Sequence, residues 1–246
     1  MEFTLKELIS LVGITRAQAN QWMKLGVFEP SRKKGTGRGS SRNLFTLVDC
    51  YQAVVFKNLT DGGSGLGREV AIEMMRAIDK ELFPLFVAAS LVSGGNLYKF
   101  AFFEKISADD GFLKSIDIIG GDPSKESVLK SMVANDLVDV APANAFLAFF
   151  KTGDQTLSLP VLVDEKFPLF SFSSWGDVAD LMNLSDSSYI INFGQLSRSL
   201  DVKLMHNHAK MLHEILDVIH ETRCRKGDKG IVSTKEIFEK ILLVIG

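Results

Sequence analysis

A cluster of cations lies between Ser31 and Arg42, the basic segment. It contains five Lys or Arg residues, three glycines and no Asp or Glu. The cations are Arg32, Lys33, Lys34, Arg38 and Arg42. Unpaired cations of this kind bind phosphate groups, and glycines permit the tight turn of a β-hairpin. The basic segment therefore predicts a flexible hairpin whose cations follow a phosphate backbone.

A polar stretch upstream of the basic segment carries side chains that hydrogen-bond to base edges. The side chains expected on its exposed face are Arg16, Gln18, Ala19, Asn20 and Gln21, whereas Trp22 and Leu25 are expected to pack inward. All of the exposed set except Ala19 bear donors or acceptors for base edges or nearby phosphates. Lys24 is grouped with the five cations of the basic segment as a contact to the nucleic-acid backbone.

Two short helices must position these side chains. Thr4 and Glu7 have the spacing of a capping box, and Gly13 is placed to end the helix that follows. A second capping box, Thr15 with Gln18, predicts a helix to about Leu25 that stops at Gly26. Two capped helices joined by a turn containing glycine are typical of a helix-turn-helix.

These residues resemble the MerR-like winged helix-turn-helix family. The similar features are the Thr-Leu-Lys-Glu-Leu start at residue 4, Gly13-Ile14-Thr15, Trp22, the run from Leu25 to Pro30, and the Arg-bearing wing that leads to Phe45. The resemblance covers about the first 80 residues, and relatives often carry Arg-Tyr-Tyr in place of Asn20-Gln21-Trp22. It implies dimers that bind double-stranded DNA, with a helix in the major groove and the wing beside it.

Two further helices complete the predicted N-terminal domain, residues 1–82. The apolar spacing predicts one helix from Thr46 to about Asn58 and another from Arg68 to Leu82. The glycine-rich segment 61–67 between them is interpreted as a turn and not as a phosphate loop, because a helical pattern precedes it and no Gly-Lys-Ser/Thr follows. The domain boundary is expected near Phe83-Pro84.

The second predicted domain, residues 84–246, alternates strand and helix patterns and suggests a mixed sheet. Strands are expected at 85–92, 97–104, 113–119, 137–140, 159–163, 167–172 and 189–193, and helices at 124–134, 143–151 and 177–184. A long helix is expected from Gln195 to about Cys224, and a last one after Ser233. The expected fold class is α/β or α+β, with an N-terminal all-helical winged helix-turn-helix followed by a mixed α/β domain with a long C-terminal helix.

Charge is unevenly distributed along the 246 residues. Residues 1–57 hold nine Lys or Arg against four Asp or Glu (net +5), and the remainder holds 19 against 26 (net −7). A basic module on an acidic body is typical of a protein that touches nucleic acid at one end. The sequence contains no run of about 20 apolar residues, the length that a membrane span requires. Its first residues do not have the pattern of a signal peptide. Two distant cysteines fit a reducing compartment, so a cytoplasmic location is expected.

Other chemistry has weaker sequence support. Four histidines, His206, His208, His213 and His220, fall on the long predicted helix without an accompanying Cys or carboxylate cluster. The pairs Asp109-Asp110 and Asp164-Glu165 have no partner motif, and no nucleophile elbow is present. We therefore expect neither an enzyme, nor a cofactor, nor a metal site.

The sequence thus predicts a sequence-specific, DNA-binding transcriptional regulator. Its C-terminal domain is expected to serve dimerisation, sensing of a small-molecule or protein effector, or partner binding, and a homodimer is expected. Three alternatives remain open at this point. They are an excisionase-like or architectural DNA-bending protein, a winged-helix adaptor that binds proteins, and a small-molecule enzyme or sensor with a DNA-reading module.

Overall fold

A computed structural model describes residues 2–30, 32–36, 40–61, 66–93, 145–162 and 175–207. Within these residues the chain forms seven helices and two three-stranded antiparallel sheets, so the class is α+β. In chain order the elements are β1 (Phe3–Thr4), α1 (Leu5–Val12), α2 (Arg16–Lys24), β2 (Arg32–Thr36), β3 (Ser40–Phe45), α3 (Leu47–Asp61), α4 (Arg68–Ala77), α5 (Leu82–Ser93), β4 (Ala145–Thr152), β5 (Gln155–Leu162), α6 (Trp175–Leu184), β6 (Ser187–Asn192) and α7 (Phe193–Asn207).

Both predicted capping boxes at the N-terminus are confirmed. The Thr4 hydroxyl accepts from the Glu7 backbone N–H, and the Glu7 carboxylate accepts from the Thr4 backbone N–H at 2.7 Å. Thr15 caps α2 in the same way, with Gln18 as its partner. Gly13 ends α1 at φ 70°, a left-handed conformation that glycine adopts without steric cost. The two helices therefore start and stop where the sequence predicts.

The basic segment lies on the first sheet, whose strand order is β1-β3-β2. Strands β2 and β3 form an antiparallel hairpin in which Arg32 pairs with Leu44 and Thr36 with Ser40, which confirms the predicted hairpin. The short strand β1 adds the pair Phe3 with Phe45, which sequence analysis did not predict. The N-terminal part is therefore not all-helical.

The region between residues 68 and 93 differs from prediction. The helix expected from Arg68 to Leu82 is two helices, because Ile78 takes an extended conformation with φ −64° and ψ 121°. The Asp79 carboxylate then accepts from the backbone N–H groups of Glu81 and Leu82 at 2.8 and 2.9 Å and starts α5. Residues 85–92, predicted as a strand, belong to α5. A short run that is apolar on every side does not distinguish a strand from a buried helix.

The second sheet corrects another prediction. Residues 143–151 were expected to be helical, but Ala145–Thr152 form β4, the central strand in the order β5-β4-β6. Both faces of β4 are covered, so its sequence is a continuous apolar run and not an alternating one. The strands expected at 159–163 and 189–193 correspond to β5 and β6. This sheet is antiparallel, not mixed, across the described strands.

The predicted helix at 177–184 is confirmed as α6, and the long helix predicted from Gln195 begins two residues earlier as α7. The helix predicted from Thr46 is confirmed as α3, which Thr46 caps with Asp49 and which extends to Asp61. The predicted elements at 97–104, 113–119, 124–134, 137–140 and 167–172 lie outside the described residues, as does everything after residue 207.

One buried cluster connects the beginning and the end of the described chain. Phe193, at the start of α7, lies with its ring centroid 4.8 Å from Phe86, 5.7 Å from Tyr51 and 6.0 Å from Phe83. The same cluster includes Leu8 of α1 and Leu147 of β4. A smaller cluster, built on Ala148, Phe150, Val161 and Val178, lies between the other face of the sheet and α6. The division of the chain at residue 83 stays a prediction, but α7 packs on both of its parts.

Candidate nucleic-acid interface

Four of the predicted contact residues lie exposed on α2, namely Arg16, Asn20, Gln21 and Lys24. The opposite side of α2 is anchored in the core, where the ring of Trp22 meets that of Phe56 edge to face at 5.1 Å. Ala19 was expected to be exposed, but it is fully buried, because a small side chain lets α2 approach the core closely. The exposed face of α2 is therefore polar and carries two cations and no acid. Its opposite face is fixed by packing in the core.

Gln18 is also on α2, but its side chain is engaged in the fold. Its amide oxygen accepts from the Thr15 backbone N–H at 2.9 Å, and its amide nitrogen lies 3.5 Å from a carboxylate oxygen of Asp61 at the end of α3. This amide therefore caps α2 and connects it to α3. The predicted contact of Gln18 with bases stays a prediction, and it would require the amide to leave these partners.

Arg68 is a residue that sequence analysis did not select. With its amide oxygen turned toward the guanidinium, Gln21 accepts hydrogen bonds from both terminal nitrogens of Arg68, at 2.9 and 3.0 Å. Arg68 is exposed at the first position of α4 and adds a third positive charge beside the exposed face of α2. The sequence gives no local signal for this contact, because the two residues are 47 positions apart and the intervening chain includes the glycine-rich segment.

The hairpin supplies the other cations. Arg32, Lys33 and Lys34 lie on β2 and Arg42 on β3, whereas Arg38 falls within 37–39, outside the described residues. The register places Lys34 directly opposite Arg42. The two residues therefore occupy neighbouring positions on one face of the hairpin.

The hairpin and α2 pack on the same hydrophobic core. Phe28, in the connection between α2 and β2, packs edge to face on Phe45 at the end of β3, with ring centroids 5.7 Å apart. Both rings are almost fully buried in the cluster that also contains Trp22. The elements that carry the two sets of cations are therefore fixed to a common base.

A network of hydrogen bonds connects α7 to α3. The Tyr51 hydroxyl donates to one carboxylate oxygen of Asp201 at 2.5 Å, and the Ser197 hydroxyl donates to the other at 3.1 Å. Burial raises the pKa of Asp201 to about 6, and these two hydrogen bonds oppose part of that rise. Burial, followed by the neighbouring Asp201 charge, raises the pKa of Tyr51, so the hydroxyl remains a donor.

This network predicts a pH dependence of stability. The pKa of Asp201 is higher in the folded chain than in the unfolded one, so the folded state binds more protons between about pH 4 and pH 6. The stability that this group contributes is therefore present in acid and is lost as the pH rises through about 6, by on the order of 3 kcal/mol. We expect Asp201→Asn to remove this slope, because the amide stays neutral and its oxygen still accepts from Tyr51. Urea unfolding of both proteins at several pH values tests this, and a constant difference between them at all pH values contradicts it.

The described residues also bear on the metal-binding and membrane-spanning features considered in the sequence. They contain no group of three or more His, Cys, Asp or Glu side chains able to hold a metal ion. A helix, α3, and not a strand leads into the glycine-rich segment, whose residues 62–65 lie outside the described part of the chain. His208, His213, His220, Asp109-Asp110 and Asp164-Glu165 lie outside the described part of the chain. None of the described helices is long and apolar enough to span a bilayer.

No protein-family model matches this chain, and a search of curated proteins finds no match. Function is therefore inferred from the residues and their arrangement alone.

Proposed function

We propose that this protein is a sequence-specific, DNA-binding transcriptional regulator. In this proposal α1 and α2 form a helix-turn-helix, the β2–β3 hairpin is the wing, and a homodimer engages double-stranded DNA. The observation that carries the proposal is that the exposed, acid-free face of α2 and the acid-free strands β2 and β3, which bear four of the five cations of the basic segment, are joined to one core. Regulation by an effector through the C-terminal part belongs to the same proposal.

The exposed face of α2 has the composition of a major-groove reader. Guanidinium groups make paired hydrogen bonds to guanine, and carboxamides make them to adenine. Arg16 and Asn20 are exposed, four residues apart on one face, so α2 offers one group of each kind. Gln21 instead supports Arg68, which places a guanidinium at the edge of this face to bind a phosphate or a guanine.

The basic segment supplies affinity without sequence information. Lys33, Lys34 and Arg42 occupy facing strands of a hairpin, an arrangement that can follow the phosphates beside a groove. The acidic remainder of the chain is repelled by the duplex and so favours binding through the N-terminal surface. In this proposal α2 contacts the bases and the basic segment contacts the DNA phosphates.

The roles assigned on α2 predict different outcomes for two exposed residues. Asn20→Ala is expected to change the preferred sequence, with a loss of about 1–3 kcal/mol at one base position, because it removes a base-edge contact. Lys24→Ala is the matched variant on the same helix, and it is expected to weaken binding to all sequences alike. Selection from a random duplex library, followed by affinity measurement on single-base variants, separates the two patterns.

Neither substitution removes a hydrogen bond of the described structure, so changes in folding do not confuse the comparison. Gln18→Ala is unsuitable for it, because it removes the side chain that accepts from the Thr15 backbone N–H in the capping box of α2. If Asn20→Ala and Lys24→Ala both reduced binding uniformly, α2 would not be the reading helix. Failure of the wild-type protein to bind any duplex would favour a winged-helix adaptor for proteins.

A further inference from the structure

Two lysines from distant parts of the chain converge on the C-terminal end of α1. Lys57 of α3 donates to two of the last carbonyl oxygens there, at 2.9 and 3.3 Å. Lys203 of α7 donates to two others, at 2.8 and 3.1 Å. The four carbonyls belong to Ser10, Leu11, Val12 and Gly13. Both ammonium groups lie close to one point, 3.5 and 3.7 Å from where a β-carbon on Gly13 would stand.

The positive charge at this point exceeds what the helix end can balance. The C-terminus of a helix carries roughly half a negative charge, against two full positive charges. Neither lysine forms an ion pair with any carboxylate of the described residues. Each ammonium group has three N–H donors. In each lysine two of these donors bind the carbonyl oxygens, and one remains. Partial burial, followed by the charge of Lys57, lowers the pKa of Lys203, as expected for two unneutralised neighbours.

A cleft of about 260 Å³ opens beside Lys57, between α1, α3 and α7. Five of its nine described lining residues are apolar, namely Leu11, Val12, Val54, Leu196 and Leu200. Asn58 and Ser199 add polar groups, and Asp61 also borders the cleft with its carboxylate directed at Gln18. A cation at one point of a small apolar cleft matches a ligand with an anionic head and a short apolar body.

We propose that this cleft is a binding site for a small organic carboxylate with a short apolar chain. Its carboxylate pairs with the remaining N–H of Lys57, and Lys203, which is outside the described lining of the cleft, adds a second positive charge at the same helix end. Its apolar chain lies on the leucine and valine walls. A DNA phosphate is a poorer match, because most of this lining would gain nothing from a sugar-phosphate backbone.

A ligand in this cleft would bridge the beginning and the end of the described chain. It would touch α1 and α3 on one side and α7 on the other, next to the turn that leads into α2. Any effect on DNA affinity rests on the proposed function, and it must be reciprocal, because DNA would then change the affinity for the carboxylate by the same factor. Ligand binding itself requires no DNA.

The test uses hexanoate as the probe and isothermal titration calorimetry of the full chain. Hexan-1-ol and hexylamine are controls that keep the six-carbon chain and lack the carboxylate. We expect saturable binding of one hexanoate per chain, with both controls at least roughly tenfold weaker, because they lose a charge-assisted hydrogen bond. Equal binding of hexanoate and hexan-1-ol would overturn the proposal, as would no binding of hexanoate.

Variants locate the site. Lys57→Met is expected to weaken hexanoate binding roughly tenfold or more, Lys57→Arg to retain most of it, and Lys6→Met, an exposed lysine on α1, to leave it unchanged. Ser199→Trp fills the cleft from its exposed rim and is expected to abolish binding without loss of helical circular dichroism, which keeps the test valid if Lys57→Met does not fold. Unchanged affinity in Ser199→Trp or in folded Lys57→Met contradicts the assignment. These results are independent of whether the protein binds DNA.

Discussion

Phe193→Ala is expected to lower the free energy of unfolding by about 3–5 kcal/mol, the usual cost of removing a fully buried aromatic ring. Its ring is completely buried among Tyr51, Phe83 and Phe86 and closes the junction of α3, α5 and α7. The free energy of unfolding of most single domains is only about 5–15 kcal/mol, so this loss is a large part of it. Urea unfolding followed by circular dichroism measures it.

The same variant tests whether the N-terminal part depends on α7. The chain has two tryptophans, Trp22 in α2 and Trp175 in α6, so Trp175→Phe leaves the fluorescence of Trp22 as a reporter of the N-terminal part alone. We expect Phe193→Ala to shift the Trp22 transition to lower urea. Phe146→Ala, which disturbs a partly buried ring packed on Trp175, is the control and is expected to shift it much less. An unchanged Trp22 midpoint in Phe193→Ala would mean that the N-terminal part folds without α7.

Neutralising the hairpin is expected to produce the largest change in DNA binding. In the triple variant Lys33→Ala, Lys34→Ala and Arg42→Ala, the slope of log affinity against log salt should decrease by about 0.9 for each phosphate contact removed. The affinity for all sequences should fall together, because phosphate contacts carry no base information. Fluorescence anisotropy with a labelled duplex over a range of salt concentrations measures both quantities.

The matched control removes the same charge elsewhere. Arg76, Lys80 and Lys151 are at least partly exposed and lie outside both proposed contact surfaces, and Lys151 forms an ion pair with Glu73 at 3.1 Å. Their triple alanine variant has the same net charge as the hairpin variant but is expected to keep nearly the wild-type slope. Equal slopes in the two variants would mean that net charge, and not the hairpin, governs binding.

Local sequence signals predicted the N-terminal elements well. Thr4 with Glu7, and Thr15 with Gln18, form capping boxes from residues three positions apart, so sequence spacing alone specifies their contacts. Gly13 acts through backbone freedom, which is also a local property. For this reason α1, α2 and the hairpin occur at their predicted places.

Elements that depend on distant packing were harder to predict. Residues 85–92 and 143–151 are both short apolar runs, and only their burial against other elements makes the first helical and the second a strand. Lys203 approaches α1 across nearly 200 residues, and Arg68 meets Gln21 across a glycine-rich segment. No periodicity in the sequence reports such contacts, because they depend on how the elements are arranged in space. The elements that carry the cations were therefore predictable, whereas the contacts made by Arg68 and by α7 were not.

The most direct test of DNA binding is a salt titration with the wild-type protein. Fluorescence anisotropy of a random labelled duplex is followed as the purified full chain is added, from low to physiological ionic strength. We expect tight binding at low salt that weakens steeply and linearly on logarithmic axes, as release of counterions from phosphate contacts requires. No binding at the lowest salt would contradict a DNA-binding function and would direct the search to a protein partner.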